Sequence, residues 1–372
     1  MPKTEIRFAQ YFADLPDPRV DRTRWHRLDD ILVITLCAVI SGADSFEEIE
    51  RFGKARHDWL KTFLKLPNGI PSHDTFNRVL SALDRDQFSA CFARWMTDLG
   101  EATGLRVIAI DGKACRAAPG DTFSGCLHLV NAWAVENDLF LGQVAVPDGS
   151  NEIAAMPALL KVLDLKGALV TIDAAFCQKE IVKQIRAQGG DYLVTVKGNQ
   201  QTLHRAVIAA FEEAGDAEFA GCDMSASVEA GHGRHEERYV TVIRDPQGLP
   251  NGWTDVGAVV VVSRERAVNS KNTSTCHYYL TSLRVGAAEL GGYVRGHWGV
   301  ENGLHWCLDI AFREDENRTR DTNAGANLGV IRRVATSLLK QDSGKGSIKA
   351  KRFNAALDHN YLLQVLQGFT EN

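Results

Sequence analysis

Two short runs of β-branched and aliphatic residues each end on an aspartate, Val107-Ile108-Ala109-Ile110-Asp111 and Leu169-Val170-Thr171-Ile172-Asp173. Runs of this length and composition, closed by a turn-forming residue, read as strands. If the two strands lie side by side their carboxylates converge. A strand-terminal aspartate is more often a simple turn or helix cap, so the pair needs a third partner before it means chemistry. Glu301 supplies one: it follows Trp298-Gly299-Val300 in a helical stretch, with His297 and His305 as its i−4 and i+4 neighbours on one expected face.

The rest of the chain organises around those strands. At 372 residues and 45% hydrophobic it exceeds what one compact core usually holds, so a main domain with appended or inserted modules is expected. Residues 1–100 read as an N-terminal helical domain and a DNA-binding candidate, with Leu28, Ile31, Leu32, Leu36, Val39 and Ile40 at helical spacing. After the Gly69-Ile70-Pro71-Ser72 break, Phe76, Val79, Leu80 and Leu83 resume that spacing. His73, Asp74, Asn77 and Arg78 then stand where a helix-turn-helix would read DNA, although many small helical domains show the same turn without binding nucleic acid.

Residues 101–340 change to strands at 106–111, 127–136, 139–146, 169–173 and 191–196, with helices at 152–163 and 178–188. Three successive strands followed by crossover units match a ribonuclease-H-like order. A β-rich insertion is expected at about 215–285, with strands at 239–243, 256–262 and 277–283, before helical spacing returns at 287–308. Residues 341–372 form a C-terminal tail with one helix at 354–367. The fold class expected is therefore α/β: a ribonuclease-H-like catalytic core with a β-rich insertion and an N-terminal helical domain.

The net charge of −5 argues against a uniformly basic nucleic-acid binder, but charge is uneven. Arg19, Arg22, Arg24 and Arg27 face one acid, Asp21, with Trp25 and His26 between them, and residues 313–352 hold ten Lys or Arg against five acids. Either segment reads as a phosphate grip or as an ordinary solvated surface. The eight cysteines show no Cys-x-x-Cys pair, which disfavours a zinc knuckle and a disulfide framework. No apolar run approaches the roughly 20 residues of a membrane span, so a cytoplasmic protein without membrane partners is expected.

Three carboxylates at strand ends and on a helix suit two divalent ions about 4 Å apart, the arrangement used for in-line phosphoryl transfer. Asp309, Asp315 and Glu316 are rivals to Glu301 for the third position, and a zinc site built from His297, His305 and Glu301 is a further, poorer reading for want of more ligands. Lys113, Lys197 and Arg234 are candidate phosphate contacts. Trp298 reads either as a base-stacking ring or as a core aromatic.

These residues resemble the DDE-type insertion-sequence transposases, within them the H-repeat-associated branch. The match runs through Asp14-Leu15-Pro16-Asp17-Pro18-Arg19, Ala109-Ile110-Asp111-Gly112-Lys113, Ser150-Asn151-Glu152-Ile153, Thr171-Ile172-Asp173-Ala174 and Asp191-Tyr192-Leu193-Val194. It continues through Lys197-Gly198-Asn199-Gln200, His232-Gly233-Arg234, and His297-Trp298-Gly299-Val300-Glu301-Asn302 to Leu304-His305-Trp306. The resemblance implies Asp111, Asp173 and Glu301 as catalytic residues and ligands of two Mg²⁺ or Mn²⁺ ions. It also implies DNA ends and target as partners, and a homodimer when assembled on DNA.

A wider signature of related transposases, Tyr-x2-Arg-x3-Glu-x6-Lys, has Val294, His297 and Leu308 at its Tyr, Arg and Lys positions here, so Arg295, His297 and His305 become the candidate DNA contacts of that segment. Two other readings stand beside strand cleavage and transfer: an inactive DNA-binding derivative, and a ribonuclease-H-like nuclease that cuts without joining.

Overall fold

The computed structural model describes residues 8–99, 106–119, 126–136, 138–146, 149–231, 234–268 and 271–367. In chain order these form α1 (Phe8–Tyr11), α2 (Leu28–Ile40), α3 (Phe46–Ala55), α4 (His57–Leu60), α5 (His73–Ala82) and α6 (Arg85–Leu99), then β1 (Arg106–Pro119), β2 (Cys126–Ala134) and β3 (Leu139–Ala145). Next come α7 (Glu152–Val162), β4 (Ala168–Ile172), α8 (Lys179–Ala187), β5 (Asp191–Val196) and α9 (Gln201–Asp216). Four long strands follow, β6 (Asp223–Gly231), β7 (Arg234–Arg244), β8 (Ala258–Val268) and β9 (Lys271–Thr281). The chain ends with α10 (Ala287–Val300), a π-helical turn (Glu301–His305), α11 (Trp306–Ile310), α12 (Thr322–Gln341), α13 (Ile348–Leu357) and α14 (His359–Gln367).

These elements form two compact units. One comprises residues 1–103, 112–155 and 301–372, the other 104–111 and 156–300. The first hundred residues thus share a unit with β2, β3 and the last helices.

At the centre of the first unit lies α12, packed against α2, α5, α6 and β3. Asp321 caps it by accepting from the Ala324 N–H at 2.7 Å, and every residue from Ala324 to Leu339 is buried. A helix hydrophilic enough to include two arginines stays buried only if each polar group finds a partner. Arg333, with no exposed side-chain surface, donates from Nε to Asn131 Oδ1 at 2.6 Å and from Nη1 to Glu314 Oε1 at 2.8 Å and the Gly329 carbonyl at 2.9 Å. Asn327 donates to the Leu80 carbonyl at 2.8 Å, and Ser337 accepts from the Phe140 N–H at 2.9 Å.

Two expectations are corrected here. The basic stretch 313–352 is not a solvated surface as a whole, because Arg332, Arg333, Lys351 and Arg352 are buried. Arg352 donates to the Val39 carbonyl at 2.9 Å and lies 4.1 Å over the Phe312 ring, a cation–π contact. The tail carries two helices rather than one, α13 and α14, broken at Asp358.

The turn at Pro71-Ser72 does lead into a helix, α5, which buries Phe76, Val79 and Leu80. His73 is tied to Glu50 by its N–H at 2.8 Å and its Nδ1 at 2.9 Å, while Asp74, Asn77 and Arg78 face solvent.

In the second unit the strand order is β1-β4-β5-β9-β8-β7-β6. The first half of β1 runs parallel to β4, and β4 parallel to β5. All five residues of β4 are buried, as a central parallel strand covered on both faces should be. From β5 outward the sheet turns antiparallel, a meander of β9, β8, β7 and β6 that occupies the stretch read as an insertion. Gly291 lets α10 come down on it, since a Cβ there would lie 2.9 Å from a Val240 methyl.

In the first unit β2 and β3 pair antiparallel, and the order is β3-β2-β1. β1 is longer than the stretch expected at 106–111: its first half serves one unit and its second half the other.

Truncating Arg333 leaves Glu314 charged and buried. Arg333→Ala is expected to lower stability by about 3–5 kcal/mol, read as a drop in the urea midpoint of unfolding.

Candidate active site

In β1 and β4, Ile110 pairs with Ile172. The next residue of each strand is an aspartate, so Asp111 and Asp173 stand at the same end of neighbouring parallel strands, about 5 Å apart along the hydrogen-bonding direction. The third parallel strand, β5, ends at Val196, and Lys197 follows it with Nζ 3.4 Å from Asp173 Oδ1. Three adjacent strand ends therefore present carboxylate, carboxylate and ammonium.

Around Asp173 the second unit supplies further groups. Thr171 Oγ1 lies 2.9 Å from His297 Nδ1, which fastens α10 to β4. Burial pushes the His297 imidazole down to about 4, so it is neutral at pH 7. Strand β9 brings His277 and Tyr279 to one face, two residues apart. Tyr279 accepts a hydrogen bond from the Trp298 indole and is pushed up to about 12 by burial. The His277 ring meets Trp298 edge-on at 6.1 Å between centroids, and Trp298 keeps 42% of its surface exposed.

Sequence reasoning missed Thr171, His277 and Tyr279. The signal available for the last two was strand alternation, which puts His277 and Tyr279 on one side of a strand returning to β5.

Glu301 opens the π-helical turn that directly follows α10, and its side chain lies outside the described residues. The α-helical spacing that placed His297, Glu301 and His305 on one expected face assumes an α-helix through Glu301–His305, where the chain makes a π-helical turn instead. Its hydrogen bonds run i→i+5 rather than i→i+4. His305 belongs to the first unit, where burial, with Arg333 and Lys113 adding, pushes it down to about 4.

The remaining candidates separate by surroundings. Lys113, expected to face phosphate, is only 8% exposed. Its Nζ sits 2.6 Å from Asp309 Oδ1, 3.9 Å from Asp315 and 4.0 Å from Glu314. Two of the rival carboxylates are thereby engaged by a lysine, and the third, Glu316, accepts from Arg313 Nε at 2.9 Å.

In the N-terminal basic segment, Arg19 is turned inward, bound to Asp17 at 2.7 Å and to the His26 carbonyl at 2.8 Å. Arg24 holds Asp21 at 2.8 Å, and Arg27 holds Asp29 at 2.6 Å. Arg22 is exposed beside Trp25, whose indole donates to the Arg22 carbonyl at 3.1 Å. Arg295 is exposed and pairs with Glu229. Arg234 opens β7, and its side chain, like His232 and Gly233, lies outside the described residues.

Among the described residues no three acidic, imidazole or thiol side chains form a set that would hold a metal unaided. Asp111 and Asp173 form a pair of hard oxygen donors, the kind preferred by Mg²⁺ or Mn²⁺. The ammonium drawn to Asp173 marks where positive charge is favoured, so the donor set fits a divalent cation.

Residues 102–338 match the family model of the transposase DDE domain, and residues 9–96 match the DDE_Tnp_1-associated model. The chain is 38% identical to the H repeat-associated putative transposase YhhI of Escherichia coli (strain K12), across 97% of this chain and 98% of that protein. It is also 38% identical to the putative transposase YncI of Escherichia coli O157:H7, across 97% and 94%. The chain belongs to the DDE transposase family, among its H repeat-associated members.

A shorter relative, the inactive transposase YbfQ of Escherichia coli (strain K12), is 45% identical over 20% of this chain and 89% of its own length. Among solved structures, a piggyBac transposase in a synaptic complex with hairpin DNA aligns at a TM-score of 0.42 and 10% identity, over 98% of this chain and 77% of that one. That likeness is too distant to carry weight. No helix among the described residues is long and apolar enough to cross a membrane.

Folded His305 takes up a proton only near pH 4, whereas an unfolded imidazole does so near 6.5. Between those values the unfolded chain binds more protons, so stability rises with pH there and falls on acidification, by at most about 1.4 kcal/mol per pH unit for this group. Urea unfolding across that window should show the slope, and His305→Leu should reduce it while the share from His297, also pushed down to about 4, remains.

Proposed function

We propose that this protein is a transposase that cleaves DNA at the ends of an insertion sequence and transfers the freed strand to a target. Asp111, Asp173 and Glu301 would hold two Mg²⁺ or Mn²⁺ ions. The observation that carries the reading is the placement of Asp111 and Asp173 at neighbouring parallel strand ends in a chain of this family.

The fold supports it further. The order β3-β2-β1-β4-β5, with β2 and β3 antiparallel, β1, β4 and β5 parallel, and helices in the crossovers, is consistent with a ribonuclease-H-like core that β6–β9 would interrupt as an insertion.

Metal held by these carboxylates would supply charge neutralisation in phosphoryl transfer. The chain's own residues do the positioning. Lys197, 3.4 Å from Asp173, offsets that carboxylate's charge and would be in place to meet a phosphate oxygen at the same strand ends. Neutral His297, bound through Nδ1 to Thr171, holds the end of α10 on β4 and with it the chain entering Glu301. Because His297 is uncharged at pH 7, it replaces the arginine of the wider signature as an anchor rather than as a phosphate clamp. Joining two ends needs two such sites, so the working species on DNA is at least a dimer, acting in the bacterial cytoplasm.

The test is strand cleavage of a duplex carrying the flanking element ends, with Mg²⁺ or Mn²⁺. Nicking at the end is expected, and Asp173→Ala should lower its rate about 10³-fold, the equivalent of about 4 kcal/mol of transition-state stabilisation. Binding to the ends without nicking under either metal would instead identify an inactive derivative. Nicking without strand transfer would identify a nuclease.

A further inference from the structure

An aspartate at the end of a strand commonly caps the turn that follows it. Asp173 does not. The chain beyond it makes a 3-10 turn, Ala174–Phe176, and the Asp173 side chain accepts no hydrogen bond from the N–H groups of that turn. Its carboxylate meets the Lys197 ammonium at 3.4 Å instead and keeps 44% of its surface exposed.

The turn is held from elsewhere in the second unit. Asn199 donates from Nδ2 to the Ala174 carbonyl at 2.7 Å, and Gln200 donates from Nε2 to the Cys177 carbonyl at 2.9 Å. The Ala174 carbonyl therefore accepts twice, since the Cys177 N–H reaches it at 3.0 Å from within the turn. Ala174, Phe176 and Cys177 are buried, so backbone oxygens there need partners from the protein itself.

Asn199 and Gln200 stand on a second 3-10 turn, Gly198–Gln200, which follows β5 and is closed by the Gln200 N–H on the Lys197 carbonyl at 3.0 Å. Because β4 and β5 are neighbouring parallel strands, the two turns leave the sheet side by side. Four consecutive residues, Lys197 to Gln200, thus bring an ammonium to the Asp173 carboxylate and two amides to the backbone just beyond it. The amides add no charge, so they hold the turn without competing with a cation for the carboxylate.

We propose that Asn199 and Gln200 are positioning residues for Asp173: they fix the turn after β4 and so leave its carboxylate, released from capping, set for a divalent cation. The proposal rests on the transposase reading and adds to it the residues that orient one metal ligand. Groups that orient a ligand from behind are worth about 10–100-fold in metal affinity or activity.

The test is Mn²⁺ binding to the full-length protein without DNA, followed by the electron paramagnetic resonance signal of free Mn²⁺, beside the urea midpoint of each variant. Asn199 is exposed, so truncating it opens no cavity. Asn199→Ala should raise the Mn²⁺ dissociation constant about tenfold. Gln200→Leu, which keeps the bulk and loses the donor, should act in the same direction. Gln201→Ala removes an exposed amide at the start of α9 and should leave the constant at its wild-type value. Nicking of a duplex carrying the element end should follow suit, Asn199→Ala needing about tenfold more Mn²⁺ for its half-maximal rate, with most of the rate restored at saturating Mn²⁺.

Wild-type Mn²⁺ affinity in Asn199→Ala and Gln200→Leu, an equal weakening in Gln201→Ala, or failure of both clamp variants to fold would overturn the positioning role while leaving wild-type nicking intact. The expected Mn²⁺ shifts in a protein that never nicks would overturn the transposase reading and leave the positioning role standing. A wild-type protein that binds no Mn²⁺ would overturn both.

Discussion

A buried guanidinium holds the first unit together. Arg333 has no water to solvate it, so it can exist inside α12 only because Glu314, Asn131 and the Gly329 carbonyl all reach it. Glu314 is in turn within ionic reach of Lys113. One charge network therefore ties α12 to β2, to the 3-10 turn that follows α11, and to β1 two residues beyond Asp111. Burial would favour the neutral acid at Glu314, but the cations around it keep its carboxyl below the ordinary range, so it stays ionised and the network keeps its charge. The strand that presents the first aspartate is thus anchored from behind by ion pairs rather than by packing alone.

The other unit relies on a different device, parallel strands ending together. Once Ile110 and Ile172 are in register, nothing further is needed to bring Asp111 and Asp173 to a common edge. A slip of one residue would turn one carboxylate to the opposite face, and the burial of every residue in β4 makes that slip costly. His297 then works as a rivet: its hydrogen bond to Thr171 fixes the helix over the strand end without placing a second charge there.

Much of this was legible in the residues. The apolar runs before Asp111 and Asp173 announce strands because β-branched residues crowd there, and Leu28 to Ile40 announces a helix by its spacing. The helix α12 was hidden because Arg332 and Arg333 suggest solvent, and only the position of Glu314 and Asn131 in space shows why they do not need it. The π turn at Glu301 was invisible because no residue type marks it, so α-helical spacing was extended through it. β6 was blurred by its small residues, Ser225, Ala226 and Ser227, which carry little strand signal until β7 lies beside them. Glu152 of the Ser150-Asn151-Glu152-Ile153 motif is seen to meet His128 at 3.3 Å, a pairing that no spacing rule predicts.

The first unit is assembled from three separated pieces of chain, and this governs when it can form during synthesis. Helix α2 buries eleven consecutive residues, Asp30 to Ile40, partly against α12. When the ribosome has made α2, its cover is still almost three hundred residues away. At about 5–20 residues per second that interval lasts roughly 15–60 seconds. For that time α2 has α3 and the chain at Leu66 beside it, but the part of its apolar surface that α12 covers stays open to other chains. Anchoring of β1 by Lys113 also waits for Asp309 and Glu314, so the strand that carries Asp111 is not fixed until most of the polypeptide has been made.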